Sequence, residues 1–175
     1  KGLAKGLNKP ILGVNHLAAH CFSVKMLHKL DCPYLTLLVS GGHCQFLIVK
    51  GVDSFYRLGG TIDDAPGECF DKIASFLGIG YPGGPIIETR SKKGNEERFD
   101  FPKPMYDSTY NMSFSGLKTA VKRETENLIK KQGGLYQKDI NDICASFQKT
   151  ATEIFKLKTK NAIKFFNEKY QNHKS

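Results

Sequence analysis

No stretch of the sequence approaches the roughly 20 consecutive apolar residues that a membrane-spanning helix requires, and Lys1 to Val14 lack the apolar centre of a secretory signal. A membrane role is set aside on this reading, and a cytoplasmic location is expected. A cysteine framework is lacking too. Cys21, Cys32, Cys44, Cys69 and Cys144 are odd in number and form no CxxC unit, so they are expected as reduced thiols. No internal repeat or low-complexity segment occurs. The zinc-protease signature HExxH is absent, because Leu17 stands where its general-base glutamate would be, which disfavours peptide hydrolysis by that route. There is no initiator Met, and GLAKGLNKP reads as the last turns of a helix before Pro10, so the chain is expected to begin inside a larger fold.

What is present is an ordinary globular composition. The 175 residues suffice to bury about two thirds of the unfolded surface, which permits one sizeable domain or two small lobes. A net charge of +9 favours an anionic partner, nucleic acid first, although lysine enrichment on solvated faces through A/T-rich codon usage accounts for the same number. Of the 26 Lys and Arg, 13 lie from Lys118 onward against 6 acidic residues.

Hydrophobic periodicity divides the chain. Ile11 to Val14 read as a short buried strand, and Asn15 then caps a helix from His16 to about Leu30 with Leu17, Cys21, Val24 and Leu27 inward. YLTLLVS and CQFLIVKG form a hairpin around Gly41, Gly42 and His43, and a third strand spans about Ser54 to Leu58. A helix follows from Asp64 to Leu77, with Pro66 in its first turn. From YPGGP to about Tyr110 the sequence reads mostly as loop. Amphipathic helices then cover Gly116 to about Lys131 and Asp139 to about Tyr170, the second broken once. The class is α/β, with a mixed sheet and flanking helices.

Several groups have the chemistry of a site. His16 and His20, four apart on a helix, present both imidazoles on one face, within reach of one metal ion, yet two ligands alone do not make a site. Ser40-Gly41-Gly42-His43 is either a phosphate-approaching loop of bare backbone or a plain hairpin using glycine for positive φ. Asp63, Asp64, Glu68 and Asp71 crowd one helix start. Asp71 suits a ribose or adenine edge, or else a solvated face. Gly83-Gly84 between prolines makes a rigid turn that a ligand could lie against. Ser113 to Gly116 with Lys118 suits an anion at a helix N-terminus, or simple capping.

The segments VNHLAAH, LLVSGGHCQ, TIDDAPGECFDKIASFLGIGYPGGP and MSFSGLKTAV, in this order, resemble the TsaD family, formerly called glycoprotease, over nearly all of the chain from about Asn8. His43 after SGG resembles the bacterial and organellar branch, and the likeness to alphaproteobacterial members is closest. The resemblance implies a partial actin/Hsp70-like ATPase superfold: residues 1–30 as a junction strand and metal-ligand helix, and 31–175 as an incomplete lobe. It implies transfer of threonylcarbamoyl from threonylcarbamoyl-AMP to N6 of adenosine 37 in tRNAs reading codons that start with A. By similarity, His16 and His20 are ligands of one divalent ion, Fe2+ or alternatively Zn2+, and Leu38, Val39, Ser40, Gly41, Gly42, Asp71 and Gly84 contact the adenylate. The implied partners are tRNA, a TsaB-like paralogue and a TsaE-like ATPase. A third metal ligand, an Asp, and a substrate-contacting Asn lie in a C-terminal segment of the family that this chain lacks, so the chain alone is expected to be inactive. Departures from the family pattern are Ala18-Ala19, Pro66, and Cys44 beside His43, which would favour a softer ion. The alternative is a non-catalytic scaffold subunit of the same superfold; a small-molecule kinase of that superfold leaves the paired histidines unexplained.

Overall fold

The computed structural model describes residues 1–171. A short helix α1 (Gly2–Gly6) precedes α2 (His16–Ser23), whose N-terminus is closed by Asn15: its side-chain oxygen accepts from the backbone N–H of Leu17 at 3.0 Å and of Ala18 at 3.1 Å. A 3-10 turn, Val24–Met26, continues α2. Three strands follow, β1 (Tyr34–Val39), β2 (Cys44–Gly51) and β3 (Ser54–Gly60), paired antiparallel in the order β1-β2-β3. β2 is central and buried on both faces, so it reads as a continuous apolar run rather than an alternating one. Its alternate residues still serve different cores. Cys44 and Phe46 join the large helical core, while Leu47 and Val49 pack with Tyr34 and Cys21 beneath α2. The Tyr34 hydroxyl donates to the Cys21 carbonyl at 3.0 Å and ties α2 to the sheet.

On the other face lie α3 (Pro66–Phe76), α4 (Gly83–Ser91), α5 (Ser115–Gln132) and α6 (Gln137–Phe166), with a π turn at Asn167–Gln171. Phe46, Ile73, Phe114, Leu117, Ile143 and Phe147 are wholly buried there, each contributing about 1.5–3 kcal/mol of transfer free energy. Polar contacts fasten the irregular stretch between α4 and α5 to α6. Arg98 bridges Asp139 at 2.5 Å and Asp142 at 2.8 Å. The wholly buried Lys158 ammonium donates to an Asp107 carboxylate oxygen at 2.6 Å and to the Thr109 carbonyl at 3.0 Å.

Several expectations change. Ile11 to Val14 form no strand, and Ile11, Leu12 and Val14 are 62%, 87% and 69% exposed. No strand among the described residues lies beside them to satisfy their backbone groups, so the expected junction strand has no ladder. The α part of α2 ends at Ser23, whose hydroxyl donates back to the His20 carbonyl at 2.8 Å, and Leu27 is exposed rather than inward. The sheet is antiparallel through β1, β2 and β3, and the parallel component expected of a mixed sheet is one bridge, Thr61 to Met112. YPGGP does not open a loop: it starts α4, because prolines at a helix start remove N–H groups that have no intrahelical partner there. α6 runs unbroken. Residues 172–175 of the expected lobe lie outside the described residues.

Candidate functional site

The site is assembled along one face of α3. Gly67 and Asp71 stand four residues apart, so both project from the same side on successive turns, about 6 Å apart along the axis. Gly67 abuts the β1–β2 turn so closely that a Cβ there would lie 2.8 Å from the Cα of Gly41. One turn later, a carboxylate oxygen of Asp71 accepts from the Gly83 N–H at 2.7 Å, capping α4 from outside its own sequence. Gly83 is equally intimate with α3, since a Cβ on it would meet the Phe70 carbonyl oxygen at 2.5 Å. α3 thus gathers Gly41, Asp71 and the Gly83-Gly84 start of α4 on one side. These are members of the expected adenylate set that lie far apart in sequence.

The β1–β2 turn is closed by the Ser40 N–H donating to the His43 carbonyl at 2.7 Å and the His43 N–H donating to Ser40 Oγ at 3.1 Å. Gly41 and Gly42 form its exposed apex. Neither has a positive φ, and a Cβ on either would meet nothing within 4 Å. Their N–H groups donate to no acceptor among the described residues. The fold therefore has no need of glycine at these positions, and the plain-hairpin explanation by positive φ does not apply. Leu38 is buried, whereas Val39 is half exposed at the strand end, so the part of this segment open to a ligand begins at Val39.

His16 and His20 are exposed on α2 with their Nε2 atoms 2.9 Å apart and ring centroids at 4.6 Å. Two imidazole nitrogens at that separation fit a common ion at about 2.0–2.1 Å from each, subtending about 90°. In the same position one neutral ring can instead donate to the other. No group of three or more His, Cys, Asp or Glu able to hold a metal occurs among the described residues, and no hydrogen bond joins the pair to residues 38–42 there. Leu12, Leu17, Phe22, Leu47 and Phe55 line an apolar groove of about 720 Å³ between α2 and the sheet, and neither histidine is among its lining residues. Cys44 turns away from His43 into the large core, and burial pushes its thiol up to about 12, so it is no candidate ligand.

The four carboxylates divide their work. Asp63 accepts from Ser113 Oγ at 2.5 Å, the Phe114 N–H at 2.8 Å and Ser115 Oγ at 2.7 Å, filling the N-terminus of α5. Burial pushes Asp63 up, but these hydrogen bonds together hold it below the usual carboxylate range. Asp64 pairs with Lys118 and, at 3.1 Å, with Lys72; the hydrogen bond from Lys118 is the main cause of its lowered pKa. Glu68 pairs with Lys72 at 2.5 Å. The expected anion site at Ser113–Lys118 is therefore filled by the protein's own aspartates, and only Asp71 is turned towards the glycine segments. Sequence reasoning missed Gly67. Its signal was a glycine in the first turn of a helix, a position where any other residue would serve unless another backbone came close.

The sequence profile described as TsaD: tRNA N6-adenosine threonylcarbamoyltransferase matches residues 1–172. A tRNA N6-adenosine threonylcarbamoyltransferase of Paracoccus denitrificans is 51% identical over 164 residues, which are 93% of this chain and 46% of that protein. The namesake of Roseobacter denitrificans is 49% identical over 169 residues, 96% of this chain and 46% of its own length. One from Cereibacter sphaeroides strain KD131 is 52% identical over 164 residues, again 93% of this chain and 45% of that protein. The chain spans about half the length of the curated relatives it matches.

Proposed function

Because the chain belongs to the TsaD family of tRNA N6-adenosine threonylcarbamoyltransferases, with its actin/Hsp70-like ATPase fold, we propose that it supplies the adenylate-binding face and two metal ligands of such an enzyme. The reaction is attack by the N6 amine of adenosine 37 in tRNA on the carbamoyl carbon of threonylcarbamoyl-AMP. The new N–C bond forms as the C–O bond to phosphate breaks. AMP leaves with the electron pair, and the amine releases a proton.

The observation that carries this reading is the convergence of Gly41, Asp71 and Gly83-Gly84 on one face of α3. The free N–H groups of Gly41 and Gly42 donate to the phosphate of the adenylate, as bare backbone at a tight turn suits. Asp71 spends one oxygen on Gly83 and offers the other to a ribose hydroxyl, while Gly84 lets the nucleoside lie against the start of α4. Val39 and Leu38 shape the wall beside the turn. These contacts orient the carbonyl for the incoming amine, and orientation is a large part of what such a site contributes.

His16 and His20 would hold one divalent ion, Fe2+ or Zn2+, together with a further ligand from outside this chain. When bound, such an ion polarises the carbonyl and neutralises phosphate charge. The reading also includes a TsaB-like paralogue and a TsaE-like ATPase as partners, in the cytoplasm. No helix among the described residues is long and apolar enough to cross a membrane.

The test is AMP binding by the complete gene product, followed by calorimetry for wild type and Gly41→Val. The expected result is micromolar-range binding that the variant loses while its thermal unfolding stays unchanged. Equal affinity in both proteins would count against the turn as the phosphate cradle.

A further inference from the structure

We propose that the surface where Lys50 and Tyr56 meet the end of α6 is an RNA-docking face, with Lys50 and Lys169 engaging phosphates and Tyr56 stacking a base. Strand register places Tyr56 opposite Ile48, and the irregularity between Val49 and Gly51 brings Lys50 beside it. The Lys50 ammonium lies 5.5 Å from the centre of the Tyr56 ring, and the Lys169 ammonium lies 5.7 Å from it. Lys169 also stands 5.4 Å from the Phe165 ring and 5.9 Å from the Tyr170 ring. Tyr56 remains 44% exposed. An aromatic ring flanked by two ammonium groups and open to solvent is the arrangement that binds single-stranded nucleic acid: stacking needs only a π face, and the cations take the backbone.

Charge narrows the occupant to a polyanion. Among the described residues neither Lys50 nor Lys169 has a carboxylate within ion-pair distance, whereas Lys72, Lys92, Lys103, Lys118 and Lys149 do. The adjoining helix adds to the field. From Ile154 to Gln171 it exposes Lys156, Lys160, Lys164 and Lys169 against Glu168 alone, and Glu168 sits 3.9 Å from Lys164. Lys50 lies about 20 Å along β2 from the Ser40–His43 turn, and Tyr56, on β3 opposite Ile48, about 13 Å. A ligand touching both must be extended, as an RNA strand is and a mononucleotide is not. This inference rests on tRNA as the proposed substrate.

The test is fluorescence anisotropy of an unmodified tRNA transcript with the complete gene product across a salt series. The Lys50→Glu/Lys169→Glu protein is expected to bind at least tenfold more weakly, with the slope of log K against log salt reduced by about 1.4–1.8, the loss of two phosphate contacts. Tyr56→Ala is expected to weaken binding about five- to hundredfold with the slope unchanged, and Tyr56→Phe to bind as wild type. Thermal unfolding of each variant should match wild type, as expected for exposed positions. If wild type binds tRNA and the variants bind with the same affinity and slope, the docking face is overturned while the functional reading stands. If wild type binds no tRNA, the functional reading fails and takes this one with it. Loss of a protein subunit from the variants with RNA affinity intact would assign the face to a protein partner and overturn the proposal.

Discussion

Gly67 and Asp71 occupy successive turns on one side of α3, the first in backbone contact with Gly41 and the second hydrogen-bonded to the Gly83 N–H at 2.7 Å. Two glycine segments more than forty residues apart are held together by this single helical face. That pairing separates glycines that the fold requires from glycines that it does not, and it makes the distinction measurable.

Gly67→Ala and Gly83→Ala each place a Cβ against backbone, at 2.8 Å from Gly41 Cα and 2.5 Å from the Phe70 carbonyl oxygen respectively. Backbone has little room to give way, so each change is expected to cost about 1–3 kcal/mol, read as a lowered urea midpoint. Gly41→Ala and Gly42→Ala meet open space and are expected to stay within about 0.5 kcal/mol of wild type. If the second pair destabilised as much as the first, the argument that the turn is bare for a ligand would lose its basis.

Removing the Asp71 side chain leaves the first N–H of α4 without its acceptor. Asp71→Ala is expected to cost about 1 kcal/mol, the usual worth of a helix cap. Asp71→Asn keeps an acceptor oxygen and should recover most of that stability, while the proposed ribose recognition, if it draws on the carboxylate charge, should not recover. Urea unfolding and nucleoside affinity measured side by side on both variants separate the two roles.

Acid should loosen the junction of α3 and α5. Asp63 and Asp64 are both held below the ordinary carboxylate value, so the unfolded chain binds more protons than the folded one in the acid range. Their stabilisation is fully present above about pH 4 and is lost as pH falls from there through their folded-state values. The Lys158 clamp follows the same sign. Asp107 is lowered to about 2, chiefly by the hydrogen bond from Lys158, so its share is lost between about pH 4 and about 2. Urea midpoints between pH 6 and pH 3 should fall for wild type and fall less steeply in Asp63→Asn, where Asp64 and Asp107 still titrate. A wild-type profile parallel to that of the variant would contradict the assignment.

Lys158→Met keeps the buried stem and removes the ammonium that holds Asp107 and Thr109. A loss of about 1–3 kcal/mol is expected, together with faster amide exchange confined to residues 105–110. Unchanged exchange in that loop would show that the clamp does not hold it.

Much of this architecture was legible from local pattern. The hairpin, the third strand and the helices from Pro66, Ser115 and Gln137 follow from apolar periodicity and start signals, because those elements bury the faces their sequences present. The His16 and His20 pairing followed from helical spacing alone. What the pattern could not give depends on distant partners. Ile11 to Val14 have strand chemistry but no neighbouring strand among the described residues, and α4 has turn chemistry but a cap from Asp71 twelve residues earlier. The crowding of Asp63 and Asp64 at one helix start is explained only by the Ser113–Lys118 segment, some fifty residues on, which is their partner. Helix-start residues announce that an end must be capped and say nothing of what caps it.

The most direct measurement is metal content and threonylcarbamoyl transfer on one preparation of the complete gene product, for wild type and for His16→Ala/His20→Ala. About one equivalent of Fe2+ or Zn2+ is expected in wild type, with loss of both metal and transfer in the variant and unfolding unchanged. Transfer at the wild-type rate by a metal-free double variant would contradict this expectation.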